Sequence, residues 1–272
     1  IGWVYYETLQ GAVDIAKAKE TVSLIKDLQL KETLEVSQDK DVILDLYGYS
    51  LTVAPEKGTV INNYGNLEVT DKSQGQTGNI TINTASSNTG IRNIGEKTLK
   101  ITKVNIKSNA NYASYGIYNT NSGKIEILGG KIESISVSGD SYGIYNSSDG
   151  AIKIIEGEIE STSNHSSSDS YGIYNKNTGN IIIEGGIINS TGVEITAFNV
   201  SSYGIYNANE GIIKMNGGEI NSKARASYGI YNANNGNVEI AGGIINSKKY
   251  GIYNCKSGNI EVTGGEINGI GV

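Results

Sequence analysis

Six times between Tyr115 and Asn254 the chain writes Y-G-I-Y-N, and each time a G-x-I segment closes at the same distance behind it. The Ile of each first element precedes the Ile of the second by 15 residues: Ile117 and Ile132, Ile144 and Ile159, Ile173 and Ile188, Ile205 and Ile220, Ile230 and Ile245, Ile252 and Ile267. From the second Ile to the next first Ile the distance is 12, 14, 17, 10 and then 7 residues. All length variation therefore falls at one place per repeat. A degenerate earlier copy keeps the rule, with Ile91 of TGIRN 15 residues before Ile106, and a weaker one begins at Val60 to Val69.

Within the constant part, apolar residues alternate with polar ones. In GKIEILGGKIES, Ile125 and Ile127 take one side and Lys124 and Glu126 the other, and Ile132 resumes the pattern after Gly129-Gly130. A period of two means half-buried strands. The strands are short, and no Asn-Gly or Asp-Gly turn is placed to fold one back on its neighbour. A repeat that shrinks to 22 residues fits one coil of a parallel β-solenoid, whose Ile face is buried only when coils stack. The chain is thus read as all-β, a right-handed parallel β-helix of about eight coils, with handedness from the crossover rule.

Stacking turns sequence columns into ladders with a spacing of about 4.8 Å. Ile117 and its equivalents form an interior column. Asn119, Asn146, Asn175, Asn207, Asn232 and Asn254 share its parity and enter a turn, where stacked amides bond to one another. The Gly pairs mark a corner with positive φ. Gly157, preceded by Glu156, shows that the second Gly is the stricter requirement. Tyr118, Tyr145, Tyr174, Tyr206, Tyr231 and Tyr253 face out, whereas strict alternation puts Tyr115 and its equivalents on the Ile side, under the variable corner.

Ahead of the repeats, ETLQGAVDIAKA (residues 7–18) sets Leu9, Ala12, Val13 and Ala16 at helical spacing, and two strand-like stretches follow. A short N-terminal capping α-helix would cover the open end of the solenoid, so residues 1–55 are taken as the cap and 56–272 as the repeats of one solenoid. The order of helix, T-V-S-L-I-K-D, V-I-L-D-L-Y-G and then G-I-Y-N with G-x-I-x-I-x-G-G-x-I resembles the pectate-lyase-like β-helix regions of large adhesin-like surface proteins of Gram-positive bacteria. The resemblance spans nearly the whole chain and implies secretion and attachment to the bacterial cell surface. Its superfamily includes lyases, hydrolases and non-enzymatic adhesins. Opening at Ile1 without a signal peptide, the chain reads as a piece of a longer protein.

The remaining composition narrows the chemistry. A net charge of −6 with scattered basic residues argues against a nucleic-acid partner, and no run of apolar residues is long enough for a membrane helix. One Cys, Cys255, excludes an internal disulfide; it fills a slot held elsewhere by Thr120, Ser147, Lys176, Ala208 and Ala233. Asp39, Asp41 and Asp45 lack the Gly and closing Glu of a calcium loop. The outward column Glu126, Lys153, Ile182, Lys214, Glu239, Glu261 mixes signs as a solvated face does. No cofactor, metal site or catalytic residue is assigned.

Two features are candidates for binding. The outward tyrosines Tyr118, Tyr145, Tyr174, Tyr206, Tyr231 and Tyr253 would offer a strip for a glycan, or simply shield the sheet. The variable corner is longest at Ser161 to Ser170, which holds His165, and at Ser190 to Ser202, which holds Phe198. The expectation is a non-catalytic adhesin or spacer module, outside the cell, that meets a glycan or a host surface protein through one of these surfaces. The alternative is a polysaccharide lyase or hydrolase on the same fold.

Overall fold

A computed structural model describes residues 4–194 and 200–270. Among the described residues the chain winds as an all-β parallel solenoid of about nine turns with a single short α-helix. Each repeat contributes three strands, and each strand pairs in parallel with its equivalent in the next turn. The six Y-G-I-Y-N strands and their three upstream equivalents, Leu34–Val36, Thr59–Asn63 and Asn88–Asn93, form a nine-stranded sheet. Its register sets like on like: Tyr142 on Tyr171, Ile144 on Ile173, Tyr145 on Tyr174, Asn146 on Asn175. The other two columns carry the I-x-I strands, such as Ile152–Ile154 against Ile181–Ile183, and the G-x-I strands, such as Ile159 against Ile188.

One turn more is present than the eight legible as repeats. Residues 20–36 already form a coil, with Leu34 paired to Ile61 and Val36 to Asn63. Leu-Glu-Val stands there in place of Ile-Tyr-Asn, so a motif search passes over it. The helix expected over residues 7–18 runs from Leu9 to Ile15, with Thr8 at its N-cap accepting from the Gly11 N–H. Leu9 and Val13 join the core beside Leu34 and Val36. Gln10 finishes the cap: its amide donates to Glu35 O and accepts from Glu35 N, both at 2.9 Å, standing in for the strand that the edge would otherwise lack.

The interior is a set of aliphatic columns. Ile117, Ile144, Ile173, Ile205, Ile230 and Ile252 are completely buried, as are Ile106, Ile159, Ile220 and Ile245 one strand away. The Gly corner behaves as its sequence suggests. Gly130, Gly157, Gly186 and Gly218 all have positive φ, between 83° and 102°, and a Cβ at Gly130 would lie 2.1 Å from Val104 O.

Strict alternation fails inside Y-G-I-Y-N, and with it the inward placement of Tyr115, Tyr142, Tyr171, Tyr203, Tyr228 and Tyr250. Gly116 and Ile117 both face the core, so the strand steps out of phase at the glycine and the first tyrosines leave the Ile side to pack against the second ones, with Tyr142 and Tyr171 buried beside the corner. The geometry at Gly143 gives the reason. A Cβ there would sit 2.4 Å from Ile159 Cγ2 and 2.6 Å from Gly172 O, so the second Ile of the repeat occupies the space that a side chain would need. The backbone comes close enough to pack on that Ile only because the position is glycine. Gly143→Ala should therefore cost roughly 1–3 kcal/mol through overpacking, read as a lowered midpoint in urea denaturation. Ser167→Ala, at an exposed position, should leave the midpoint in place.

Candidate functional site

The phase step builds two tyrosine ladders side by side on one outer face. In the first, Tyr142, Tyr171 and Tyr203 stack with centroids 5.0 Å apart and planes within 7° of parallel. In the second, Tyr145, Tyr174 and Tyr206 also stack at 5.0 Å, within 3°. The two ladders meet edge to face, Tyr171 against Tyr174 at 5.0 Å and 89°. Such contacts contribute about 0.5–1.5 kcal/mol each beyond burial. Tyr118 turns its plane to stack on Tyr115, at 5.1 Å, and meets Tyr145 edge-on. Cations stand at both ends, Arg92 over Tyr118 at 5.6 Å and Lys249 over Tyr250 at 5.0 Å.

This arrangement bears on what the strip offers. Stacked rings turn their faces to one another along the solenoid, so between Tyr145 and Tyr231 the solvent meets ring edges. The outward tyrosines are partly buried, and Tyr253 reaches 36% exposure. Burial, then the neighbouring phenols, first among them Tyr174, pushes Tyr145 up to about 12. Burial also raises Tyr142 and Tyr171 well above the ordinary phenol value, followed by the charge of Asp140 for the one and Asp169 for the other.

Those two aspartates are pegs of the variable corner. Asp140 accepts from Tyr142 Oη at 3.1 Å and from Asp169 N at 2.8 Å. Asp169, one turn on, accepts from Tyr171 Oη at 3.2 Å and from Ser201 N at 2.8 Å. Burial raises the Asp169 carboxyl, the Ser201 N–H opposes it, and the Asp140 charge raises it further. Beneath the corner, buried serines form a hydroxyl ladder: Ser141 Oγ donates to Ser134 Oγ at 2.9 Å, and Ser190 Oγ to Ser170 Oγ at 3.1 Å. Sequence reasoning missed both devices, although a Ser two residues after every second Ile except Ile267 and another before most first tyrosines are visible as columns.

At the opposite corner the asparagine ladder is as expected and continuous. Asn119 donates to Asn146 Oδ1, Asn146 to Asn175 and Asn175 to Asn207, each at 2.8 Å. The second N–H of each amide closes its own turn, Asn119 on Gly123 O at 2.9 Å and Asn146 on Gly150 O at 2.8 Å. The ladder is fully buried from Asn63 to Asn232.

Of the other candidates, His165 folds back on its own loop, its Nδ1 2.9 Å from Ser167 Oγ, and Phe198 lies outside the described residues. Cys255 is exposed and donates to Tyr231 Oη at 2.9 Å. Asp45 is a turn peg that accepts from Tyr47 N and Lys72 N, both at 3.0 Å. Asp71 plays the same part. Burial works against its charge, but the Ser73 hydroxyl and then the N–H groups of Gly78, Ser73 and Gly48 hold the carboxyl below its usual range. The flat outer face pairs its charges across turns, as in Lys214–Glu239 at 3.3 Å.

Among the described residues, no three His, Cys, Asp or Glu side chains gather closely enough to hold a metal ion, and no helix is long and apolar enough to cross a membrane. The two best-formed depressions are open grooves, about 380 Å³ beside Asn83, Asn109, Ile135 and Val137, and about 170 Å³ beside Lys214, Glu239 and Glu261. Comparison with family models, curated proteins and solved structures gives no match.

Two outcomes test the ladders. Asn175→Ala removes the donor to Asn207 and Gly179 and the acceptor for Asn146, all buried, and should cost roughly 2–5 kcal/mol, measured by urea unfolding. Phenols raised in the fold but ordinary when unfolded keep their proton longer in the native state. Stability is then fully present below about pH 10 and lost as pH climbs beyond it. Alkaline titration should show tyrosinate absorbance of the ladder appearing together with loss of the β circular-dichroism signal; early, independent ionisation of all phenols would contradict it.

Proposed function

We propose that this chain is a non-catalytic binding or spacer module of a bacterial surface protein, working outside the cell as a rigid rod that displays the variable corner. The observation that carries the reading is the division of labour around each coil. The Asn, Ile and Tyr ladders bind turn to turn, while changes in length and polarity gather where the corner loops stand above a buried serine floor. Loops held on a rigid scaffold are the usual place for recognition. The motifs that resemble adhesin-like β-helix regions supply the bacterial-surface part of the reading.

A glycan or a host protein is the partner class, with the corner preferred over the tyrosine strip because the ring faces are engaged with each other. No feature of the site favours a lyase or hydrolase. The test is an array of glycans and matrix proteins probed with the intact chain, with a variant whose corner 164–168 is shortened, and with Tyr174→Ala/Tyr206→Ala. Loss of a specific signal in the folded corner variant, with the tyrosine variant retaining it, is the expected result. Retention in the corner variant and loss in the tyrosine variant would move recognition to the strip, and silence across the array would leave a spacer.

A further inference from the structure

The larger of the two depressions lies on the variable corner, across three turns that precede its longest loops. Its volume of about 380 Å³ falls toward the lower end of the range of about 300–1,000 Å³ usual for small-molecule sites. The register sets its walls. Asn83 pairs with Asn109 and Asn109 with Ile135 on successive strands, and Ala85, Asn111 and Val137 follow two residues further on. All the lining side chains are uncharged. The charges two positions back on the same strands, Lys107 and Glu133, are paired with each other at 2.6 Å.

An outward amide ladder ends inside this groove. Asn109 Nδ2 donates to Asn83 Oδ1 at 2.7 Å, and the column then passes to Ile135, whose side chain has no N–H to offer. Asn109 Oδ1 is left buried without a hydrogen-bond partner. Among the described residues one other side-chain atom shares that state, Asn62 Oδ1, and it lines neither depression. In the inner ladder the corresponding oxygens of Asn146, Asn175 and Asn207 each accept from a neighbouring turn. A buried acceptor with no donor is costly. Ile135 is half-buried and Val137 is 54% exposed, so a small movement of either opens the oxygen to a hydroxyl lying in the groove. Tyr112 adds an aromatic surface. Ser136, between Ile135 and Val137, donates to Tyr112 O and so holds that residue at the edge of the groove. Its side chain stands on a 59% exposed residue and, among the described residues, its ring meets no other ring.

We infer that this groove is a binding site for a neutral sugar unit, oriented by the amide of Asn109 and packed against Tyr112, Ile135 and Val137. The inference rests on the proposed function and names the place on the variable corner, and the class of glycan, within it. The walls select the class. A pyranose carries hydroxyls around its rim and C–H groups on its faces. Asn109 Oδ1 takes a hydroxyl proton, the Asn111 amide can both donate and accept, and the apolar walls and the Tyr112 ring cover a C–H face. An acidic sugar would leave its carboxylate among uncharged side chains, with its desolvation uncompensated. A peptide strand finds no edge to extend, because the corner backbone is paired from turn to turn, Asn111 N with Thr84 O and Val137 N with Ala110 O.

The test titrates the full chain with N-acetylglucosamine, galactose, lactose and cellobiose, and with galacturonate as the charged counterpart, read by saturation-transfer NMR. Two variants separate recognition from folding. Asn109→Leu removes the orphan acceptor and leaves exposed Asn83 to water, so its urea midpoint should hold or rise. Tyr112→Ala removes a ring that packs on no other among the described residues. Expected is binding of at least one neutral sugar that is the same at low and high salt. It should weaken by about tenfold in Asn109→Leu and by a similar factor in Tyr112→Ala, and survive in Tyr174→Ala/Tyr206→Ala. Undiminished binding by Asn109→Leu, a preference for galacturonate that fades with salt, or no binding of any of these sugars would overturn the inference. A glycan or protein signal on the array that both variants retain would sink this inference and leave the proposed function standing. Silence toward the sugars and the array together would take down the binding reading itself.

Discussion

Parallel pairing in register brings the same position of every coil to within about 4.8 Å of its neighbours, and most of what is unusual in this chain follows from that proximity. A residue type survives in a column only if it gains from meeting itself. Asn does, because its amide both donates and accepts, and the run from Asn63 to Asn254 uses both functions at every step. Ile gains by burial and Tyr by stacking. Charge gains less from meeting itself, and on the flat faces Lys pairs with Glu of a neighbouring turn at Lys107–Glu133 and Lys214–Glu239. Pro cannot donate to the ladder, and the single Pro, Pro55, opens a short 3₁₀ turn between strands.

The same constraint explains how one corner can vary while the rod does not. Serine hydroxyls close the core beneath it, and Asp140 and Asp169 tie its returning strands to the next coil's backbone and to the tyrosine ladder. Residues added above that floor meet solvent rather than core. Sequence change there costs little stability, and surface chemistry can shift along the rod, from the uncharged groove beside Asn109 to the carboxylates of Asp140 and Asp169, without disturbing the stack.

Much of this was legible in the residues. The constant 15-residue interval gave coil, core column and asparagine ladder, and the Glu156-Gly157 exception identified which corner glycine is required. The first coil was not legible, because Leu34 to Val36 keeps the shape of the motif with different residues. The serine floor was visible as columns but passed for loop composition. A loop serine and a buried one look alike until the strands on either side of the corner are brought face to face.

The sequence by itself determined period, parity of the Ile and Asn columns, and the place of variation, since these depend only on which residues recur at which spacing. Tertiary structure alone decided where the first tyrosines point. Gly143 has no room for a Cβ because Ile159 from the same coil and Gly172 from the next converge on it, so the strand slips phase there and Tyr142 packs beside Tyr145. That clash lies between atoms 16 and 29 residues apart in the chain, and no local alternation rule contains it. The pairing of the two ladders, the engagement of their ring faces and the gathering of Asn83, Asn109, Ile135 and Val137 around one groove all arise in the same way, from neighbours that only stacking supplies.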